Sequence, residues 1–339
     1  MIRAILPTAT GLLFIATSSP AWADHPVVGG GVSHGSPIVT IAADTLPQGV
    51  LAGGIQVSYV DPDSYSDEEL IALASQHVHA HTTDYNLLTT ASLSYGVTGH
   101  FTLSASLPYM RRDNLRAGEH SHSGDTATNT AEELGSVAGI GDASIIGQFQ
   151  FAHSHEQGWG MALIGGLKLP TGATHRVSSD GERLETEHQP GTGSWDPLVG
   201  FAASKRWGPV SLDGNALYQF STKGAQDTEL GDRLSINAAL SYTLSSETDH
   251  HAHGADDHGH DSWTLVLEAN GEWEGHQRIA GEIEDESGGK VVYLSPGIRF
   301  GSARGWSMAM SAGLPVWQDI RPSHPDNSFR LIAQVGTSF

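Results

Sequence analysis

The chain has 339 residues, of which 38 are Asp or Glu and 17 are Lys or Arg, so its formal net charge at pH 7 is −21. Binding to nucleic acid starts from a basic patch, and this acidic balance therefore argues against a nucleic-acid partner. Only 16% of the residues are charged and 41 are glycine, which is unusual for a soluble enzyme and suits an outer surface that faces lipid. The absence of cysteine from the sequence excludes a disulfide framework.

A basic residue, a short apolar run and a small-residue site follow one another at the start of the chain. Arg3 precedes "AILPTATGLLFIA", and "AWA" occupies residues 21–23. This order is typical of a secretory signal peptide, and the apolar run is too short to cross a bilayer as a helix. We expect residues 1–23 to be a signal peptide, residues 24–48 to form a periplasmic lead-in, and residues 49–339 to form one domain.

Alternating apolar and polar residues mark residues 49–339 as a series of strands. In "WTLVLEANGEW", Trp263, Leu265 and Leu267 share one face, whereas Thr264 and Glu268 lie on the other. Twelve such segments start near Val50, Tyr85, Phe101, Ile140, Trp159, Trp195, Val210, Arg233, Trp263, Val291, Trp306 and Phe329. Since closed barrels are the strand architecture that spans a bilayer, the pattern predicts an all-β, transmembrane, antiparallel up-and-down barrel of about 12 strands.

The connections between these segments indicate the orientation of the barrel. Short glycine-containing turns such as "TGH" and "SARG" alternate with longer connections, and the aromatic residues gather at the strand ends. In bacterial outer-membrane barrels the short turns face the periplasm, so we expect the long loops outside and a short helix in the first of them, at residues 66–75. The last strand then ends at the periplasmic rim, where Phe339 resembles the C-terminal signal read by the barrel-assembly machinery.

Three stretches in the middle of the chain are similar to one protein family. The stretch "GIGDASIIGQFQF" (139–151) opens with G-x-G-D, "GLKLPTG" (166–172) closes with P-T-G, and "GTGSWDPLVGFAASKRW" (191–207) carries a D-P pair. Together they resemble the outer-membrane channel family named after the meta-cleavage pathway of phenol degradation. The resemblance implies a barrel and passive transport, and it implies no catalytic residues. The many histidines of the chain are not part of that pattern.

The alternation also predicts which side chains point into the lumen. These inward residues carry both signs of charge, and they include Asp142, Gln148, Lys168, Asp196, Asp213, Arg233, Glu268, Asn270, Glu272, Arg299 and Arg330. Two readings remain open: the charges orient solutes in a conducting pore, or they pair with one another and close a narrow barrel. Twelve strands give a bore between the filled eight-stranded and the open sixteen-stranded cases.

Histidines form the second candidate site. The densest tract, "DHHAHGADDHGHD", contains five, and "HVHAH" places three at every second position; these candidate metal ligands are His250, His251, His253, His258, His260, His77, His79 and His81. Imidazole suits Zn, Cu and Ni ions, and short His-rich tracts are typical of metal binding. The alternative is that histidine serves only as a polar loop residue.

No catalytic motif accompanies these features. The sequence lacks a G-x-S-x-G elbow, an H-E-x-x-H pair and a phosphate loop. We therefore predict a non-enzymatic protein of the bacterial outer membrane that needs no cofactor. Its predicted function is a passive channel for small solutes, linked to transition-metal handling through the His-rich loops. The alternative is a metal-binding or structural barrel with a closed lumen.

Overall fold

Residues 37–123, 126–245 and 261–339 are described by the computed structural model. Within them, twelve antiparallel strands close into one barrel. In chain order these are β1 (Leu51–Pro62), β2 (Tyr85–Thr98), β3 (Phe101–Ser123), β4 (Ser144–Ser154), β5 (Trp159–Lys168), β6 (Asp196–Trp207), β7 (Val210–Gln219), β8 (Arg233–Ser245), β9 (Ser262–Glu274), β10 (Gly289–Gly301), β11 (Trp306–Ile320) and β12 (Asn327–Ser338).

The barrel closes where the first strand pairs with the last. Strands β1 and β12 are antiparallel, from Ala52 opposite Ser338 to Pro62 opposite Asn327, and every other barrel strand pairs with its neighbours in sequence. Closure leaves no edge whose backbone groups would face lipid unpaired. The predicted fold is confirmed, and each strand begins within four residues of its predicted start. Period-two alternation is a strong signal here because one face of each strand meets lipid and the other meets the interior.

The outer surface of the barrel is apolar. Along β9 the exposed positions are Trp263, Leu265, Leu267 and Ala269, and the positions between them are buried. Aromatic rings cluster at the end of the barrel that carries the short turns, where the centroid of Phe300 lies 4.9 Å from that of Trp263 and 5.1 Å from that of Trp306. Such a band with an aromatic girdle is how a barrel matches a bilayer. None of the helices in the described residues is long and apolar enough to span a membrane.

Strand β3 extends well beyond the barrel wall. Its first residues, from Phe101 to Ser106, pair with β4, whereas the part from Tyr109 outward pairs with a further strand, Thr126–Ile140. This pair of strands, the outer hairpin, occupies a stretch that the sequence assigned to a long loop. Both faces of the hairpin are largely polar, so the alternation that reveals the barrel strands is missing from it.

The predicted helix of the first outer loop is confirmed at Asp67–Ala74. A capping box begins it: the Ser66 hydroxyl accepts the Glu69 N–H, and the Glu69 carboxylate accepts the Ser66 N–H. The helix packs on the outer hairpin, where Gly118 permits the close approach. A Cβ at Gly118 would lie only 2.6 Å from the carbonyl oxygen of Leu70.

Single cysteines can test the orientation of the barrel, because the natural chain has none. Thr128 is exposed on the outer hairpin, and Ala303 is exposed in the short turn between β10 and β11. We expect a maleimide too large for porins to label Thr128→Cys on intact cells. We expect it to label Ala303→Cys only after the outer membrane is permeabilised. Labelling of Ala303→Cys on intact cells, with Thr128→Cys protected, would reverse the assigned strand directions.

Candidate functional site

Residues 37–48, the lumen segment, lie inside the barrel. Glu268 on β9 is fully buried, and its carboxylate accepts the backbone N–H groups of Ile38, Val39 and Thr40 at 2.9–3.1 Å. Three N–H donors on one carboxylate make charge-assisted hydrogen bonds, which are stronger than neutral ones. The carboxylate therefore anchors the start of the described chain to the barrel wall.

The rest of the lumen segment crosses the bore toward the opposite wall. The backbone N–H of Ile41 donates to Asn215 Oδ1 on β7 at 2.9 Å. Further along, the N–H of Leu46 donates to Thr102 Oγ1 on β3 at 2.8 Å. The segment therefore reaches from β9 to β3 and fills the middle of the bore.

Gly96 makes room for the lumen segment where the segment leaves the lumen along the barrel wall. The N–H of Gly49 donates to the carbonyl of Gly96 on β2 at 2.8 Å, and the N–H of Gly96 donates to the carbonyl of Val50 at 2.9 Å. A Cβ at Gly96 would collide with the carbonyl oxygen of Pro47. Position 96 therefore requires glycine for this path of the chain.

The lumen segment separates two cavities. The outer one measures about 120 Å³ and has Ile41 in its lining, together with Gln148, Lys168 and serine and threonine hydroxyls. The inner one measures about 570 Å³ and is lined by Asp44, Leu46 and Pro47 of the segment and by Pro209 in the short turn between β6 and β7. The two cavities share no lining residue. The segment is thus a partition across the lumen.

A buried ion-pair group, the mouth network, lies at the outer end of the barrel wall. Lys168 Nζ lies 3.0 Å from Asp142 Oδ2 and 2.7 Å from Asp196 Oδ2, and it also donates to the hydroxyls of Thr192 and Ser194. Because a buried charge is costly unless it is paired and hydrogen-bonded, these groups stabilise one another. The network is therefore one unit, in which each charge depends on the others.

The mouth network also joins the three stretches that carry the family resemblance. Asp142 comes from "GIGD", Lys168 from "GLKLPTG" and Asp196 from "SWDP". Asp142 Oδ1 further accepts the N–H of Gly172 at 2.8 Å, and Asp196 Oδ1 accepts the N–H of Thr222 at 2.9 Å. The carboxylates thus fix the loops 169–195 and 220–232 onto the rim of the barrel.

The other predicted lumen residues also lie in the interior, mostly in pairs. Arg330 donates to Glu272 Oε1 at 2.5 Å and to Asn270 Oδ1 at 3.2 Å. Arg233 donates to both oxygens of Glu274 at 3.0 Å, close to the mouth network. Most charged side chains of the wall are thus paired with one another. Sequence alternation predicts which face of a strand a residue lies on, but it cannot predict which residue pairs with it.

Three further predicted residues hold the lumen segment or its support. Arg299 donates to the carbonyl of Pro37 at 3.0 Å, and Gln148 donates to the carbonyls of Ala42 and Asp44. Asp213 accepts the Ser204 hydroxyl at 2.5 Å, and Ser204 Oγ accepts the N–H of Ala43. These side chains belong to the barrel wall and also hold the lumen segment in place.

The predicted histidine ligands separate in space. His250, His251, His253, His258 and His260 lie outside the described residues, and the prediction for them stays a prediction. His77 and His79 are exposed, and the ring of His77 packs on that of His120 with centroids 4.4 Å apart. His81 is buried and lies instead beside Glu185, Glu187 and His188, with the ligand atoms of all four within 4.8 Å of one another.

We call this group the His81 cluster. The sequence predicted only one of its four members, His81, as a metal ligand. Glu185, Glu187 and His188 occur in "ETEHQP", where a single histidine after two acidic residues gives no pattern of its own. The cluster arises because the loop 169–195 folds back over the outer hairpin, a long-range contact that spacing within either loop does not reveal.

Comparison with known proteins agrees with the fold. The chain is similar to the crystal structure of an outer membrane channel from Pseudomonas putida F1, with 18% sequence identity and a TM-score of 0.57 over 88% of this chain and 98% of that chain. The toluene transporter TbuX of Ralstonia pickettii aligns over 86% of this chain and 90% of its own, with 9% identity and a TM-score of 0.41. The first likeness concerns the fold alone, and the second score is too low to carry an argument. A search of curated protein sequences finds no match.

The family described as "Putative MetA-pathway of phenol degradation" matches residues 74–322, a span that includes the whole mouth network. This match confirms the resemblance seen in the sequence, and together with the closed barrel it favours a membrane channel over an enzyme. The protein is a β-barrel of the bacterial outer membrane and belongs to this family.

Proposed function

We propose that the protein is a passive channel for small solutes and that the lumen segment is its gate. The observation that carries the proposal is the partition between the two cavities. Hydrogen bonds from the wall to the segment, such as those of Glu268, hold the partition in place. When the segment leaves the lumen, water can take the place of these side-chain hydrogen bonds, whereas the strand pairing of the wall stays intact.

The outer cavity favours a small uncharged solute. Its volume of about 120 Å³ is close to the roughly 150 Å³ of an engineered protein cavity that binds benzene. Lys168 is already paired with Asp142 and Asp196, which leaves hydroxyl and amide groups such as Ser104 and Gln56 to meet a solute. Leu88 and Ile146 add apolar surface. A molecule of about one ring that bears a hydroxyl or amide group fits this lining.

A closed-lumen barrel with a structural or metal-binding role is the second candidate. The lumen segment favours it, since the segment divides the bore in the described conformation. Under this alternative the segment never leaves, and no solute crosses the barrel.

We also propose a link to transition-metal handling through the His-rich loops. The support is the composition of the tract 249–261 and of "HVHAH", whose imidazoles suit Zn, Cu or Ni ions. Calorimetry with these ions on the wild type and on a variant that lacks the five histidines of the tract tests the link. Equal binding by the two proteins would contradict it.

A reversible disulfide between the lumen segment and the wall tests the gate. A Cβ at Gly160 would lie 3.6 Å from the Cβ of Ala43, within the range that a disulfide requires, and its nearest neighbour is the movable amide end of Gln150. We expect the oxidised Ala43→Cys/Gly160→Cys protein to be silent in planar bilayers, and reduction to restore wild-type conductance.

The Ala43→Cys variant alone is the matched control, and oxidation should leave its conductance unchanged. Wild-type conductance from the oxidised double variant would show that the segment is not the gate. Silence of both the wild type and the reduced double variant would favour the closed-lumen barrel.

A weaker anchor should shift the gate toward the open state. In Glu268→Gln the side chain loses its charge and presents an NH2 group to N–H donors. Hydrogen bonds to a charged group contribute about 1.5–3 kcal/mol, so the ratio of open to closed channels should rise about 10–100-fold. Single-channel recordings give this ratio. Glu282→Gln, the same change on an exposed outer loop, should leave it unchanged, and an unaltered ratio in Glu268→Gln would contradict the anchor role.

The closing strand supports the proposal that Phe339 contacts the barrel-assembly machinery. Phe339 is exposed, and its backbone pairs with Leu51 of β1, with N–H to O distances of 2.7 and 3.1 Å. An acidic residue at the membrane interface costs only about 0–1 kcal/mol of folding free energy. We therefore expect Phe339→Asp to lower the amount of heat-modifiable barrel in membranes far more than this cost predicts, and Phe339→Tyr to preserve it. Normal membrane levels of Phe339→Asp would contradict the assembly role.

A further inference from the structure

The His81 cluster brings together three potential metal ligands from two outer loops. His81 Nδ1 lies 3.0 Å from His188 Nε2, and Glu187 Oε1 lies 3.4 Å from the first nitrogen and 3.5 Å from the second. Glu185 supplies a fourth group, and all four ligand atoms lie within 4.8 Å of one another. The three shorter distances form a nearly regular triangle of nitrogen and oxygen atoms.

That triangle has the dimensions of a metal coordination shell. Around a tetrahedral zinc ion with ligand bonds of about 2.0–2.2 Å, neighbouring ligand atoms are about 3.3–3.6 Å apart. The three observed distances fall within or just below this range, so the ligands need to move only by tenths of an ångström. Two imidazoles and a carboxylate are also a donor set that zinc commonly takes.

The surroundings hold the ligands in this arrangement. Gln277, from the loop between β9 and β10, donates to the other oxygen of Glu187 at 2.8 Å, which leaves Oε1 directed at the two imidazoles. Arg112 on the outer hairpin donates to the carbonyl oxygen of Glu187 at 2.5 Å and lies 3.5 Å from His188 Nδ1. The Arg112 guanidinium thus anchors the backbone of the loop 169–195. It lies on the side of the His188 ring that faces away from His81 Nδ1.

Two further features fit an ion. The strand His81–Thr82 pairs with the outer hairpin, opposite Ala117 and Arg116, so that the position of His81 is set by a sheet. A cavity of about 10 Å³ is lined by His81 and His188, and this is about the size that holds one water molecule. The cluster therefore combines fixed ligands with a small void beside them.

We propose that His81 Nδ1, His188 Nε2 and Glu187 Oε1 bind a divalent transition-metal ion, with zinc as the best fit and Glu185 as the fourth ligand. The ion replaces the hydrogen bond between the two imidazoles, and it ties the loop 169–195 to the first outer loop above the mouth network. This site differs from the His-rich tract 249–261, and it does not depend on transport through the barrel.

Zinc titration of the full-length protein in detergent micelles tests the site. The five histidines of the tract 249–261 are first replaced with serine, in every protein compared, to remove their contribution to binding. Calorimetry should then detect a zinc ion whose binding is lost in His188→Ala and in Glu187→Gln. Because the second change keeps the shape of the side chain, it removes the ligand charge without opening the loop.

His175→Ala is the matched control, since His175 is an exposed histidine of the same loop that contacts Thr174. It should bind zinc as tightly as its parent. The heat-induced shift in gel mobility shows that each variant still forms a barrel. Unchanged zinc binding in folded His188→Ala and Glu187→Gln would overturn the proposal, as would the absence of zinc binding by the parent.

Gln277 gives a graded test of the same site. Its side-chain amide donates to Glu187 Oε2 and not to Oε1, so it acts as a positioning residue. Loss of such a partner typically weakens metal affinity about 10–100-fold without abolishing it. We expect Gln277→Ala to show this loss and Gln318→Ala, on β11, to show none. Equal zinc affinity in Gln277→Ala and its parent would contradict the assigned orientation of the Glu187 carboxylate.

Discussion

The interior of this barrel is governed by a single constraint: twelve strands enclose more space than their own side chains fill. An eight-stranded barrel is packed by side chains, whereas sixteen strands leave an aqueous channel. Here the lumen segment of the same chain occupies part of this space. Glu268 holds the start of the lumen segment, Asn215 holds its middle and Thr102 holds its end. One cavity lies on each side of the segment.

The charges of the wall follow from the same constraint. An ion inside a narrow barrel loses much of its hydration and is stable only when it is paired. Lys168 with two aspartates, Arg330 with Glu272 and Arg233 with Glu274 satisfy this requirement within the wall. The lumen segment meets Glu268 in the same manner, with backbone N–H groups in place of a cation. Pairing of this kind leaves a lining whose free polar groups are mostly uncharged.

The sequence predicts the barrel well because each strand faces lipid on one side and the interior on the other. Trp263 to Ala269 illustrate this, since every second side chain is exposed to the membrane. The outer hairpin was missed because its buried face, which packs against the helix and the loop 169–195, carries polar residues such as Arg112 among its apolar ones. The partners of Lys168 and the His81 cluster were missed for another reason. His188 and Glu187 meet His81 only through tertiary folding of two loops, which are more than 100 residues apart in the chain.

The outer mouth and the lumen are joined through one loop. The loop 169–195 carries Thr192 and Ser194 of the mouth network and also Glu187 and His188 of the His81 cluster. A ligand that orders one part of this loop therefore restrains the part that covers the outer cavity, because Pro190 lines that cavity. The family motifs fix the two ends of the loop at the barrel rim, and Glu187 and His188 lie just before the second of these ends.

A buried carboxylate holds the lumen segment as a partition in the folded protein. Amide hydrogen exchange at Ile38, Val39 and Thr40, followed in the wild-type protein in micelles, is the sharpest test of this role of Glu268. All three amides donate to Glu268 in the interior. We expect these amides to exchange far more slowly than an unstructured peptide and faster than the amides of β9, because the segment opens without the barrel. Exchange at the rate of an unstructured peptide would show that Glu268 does not hold the segment.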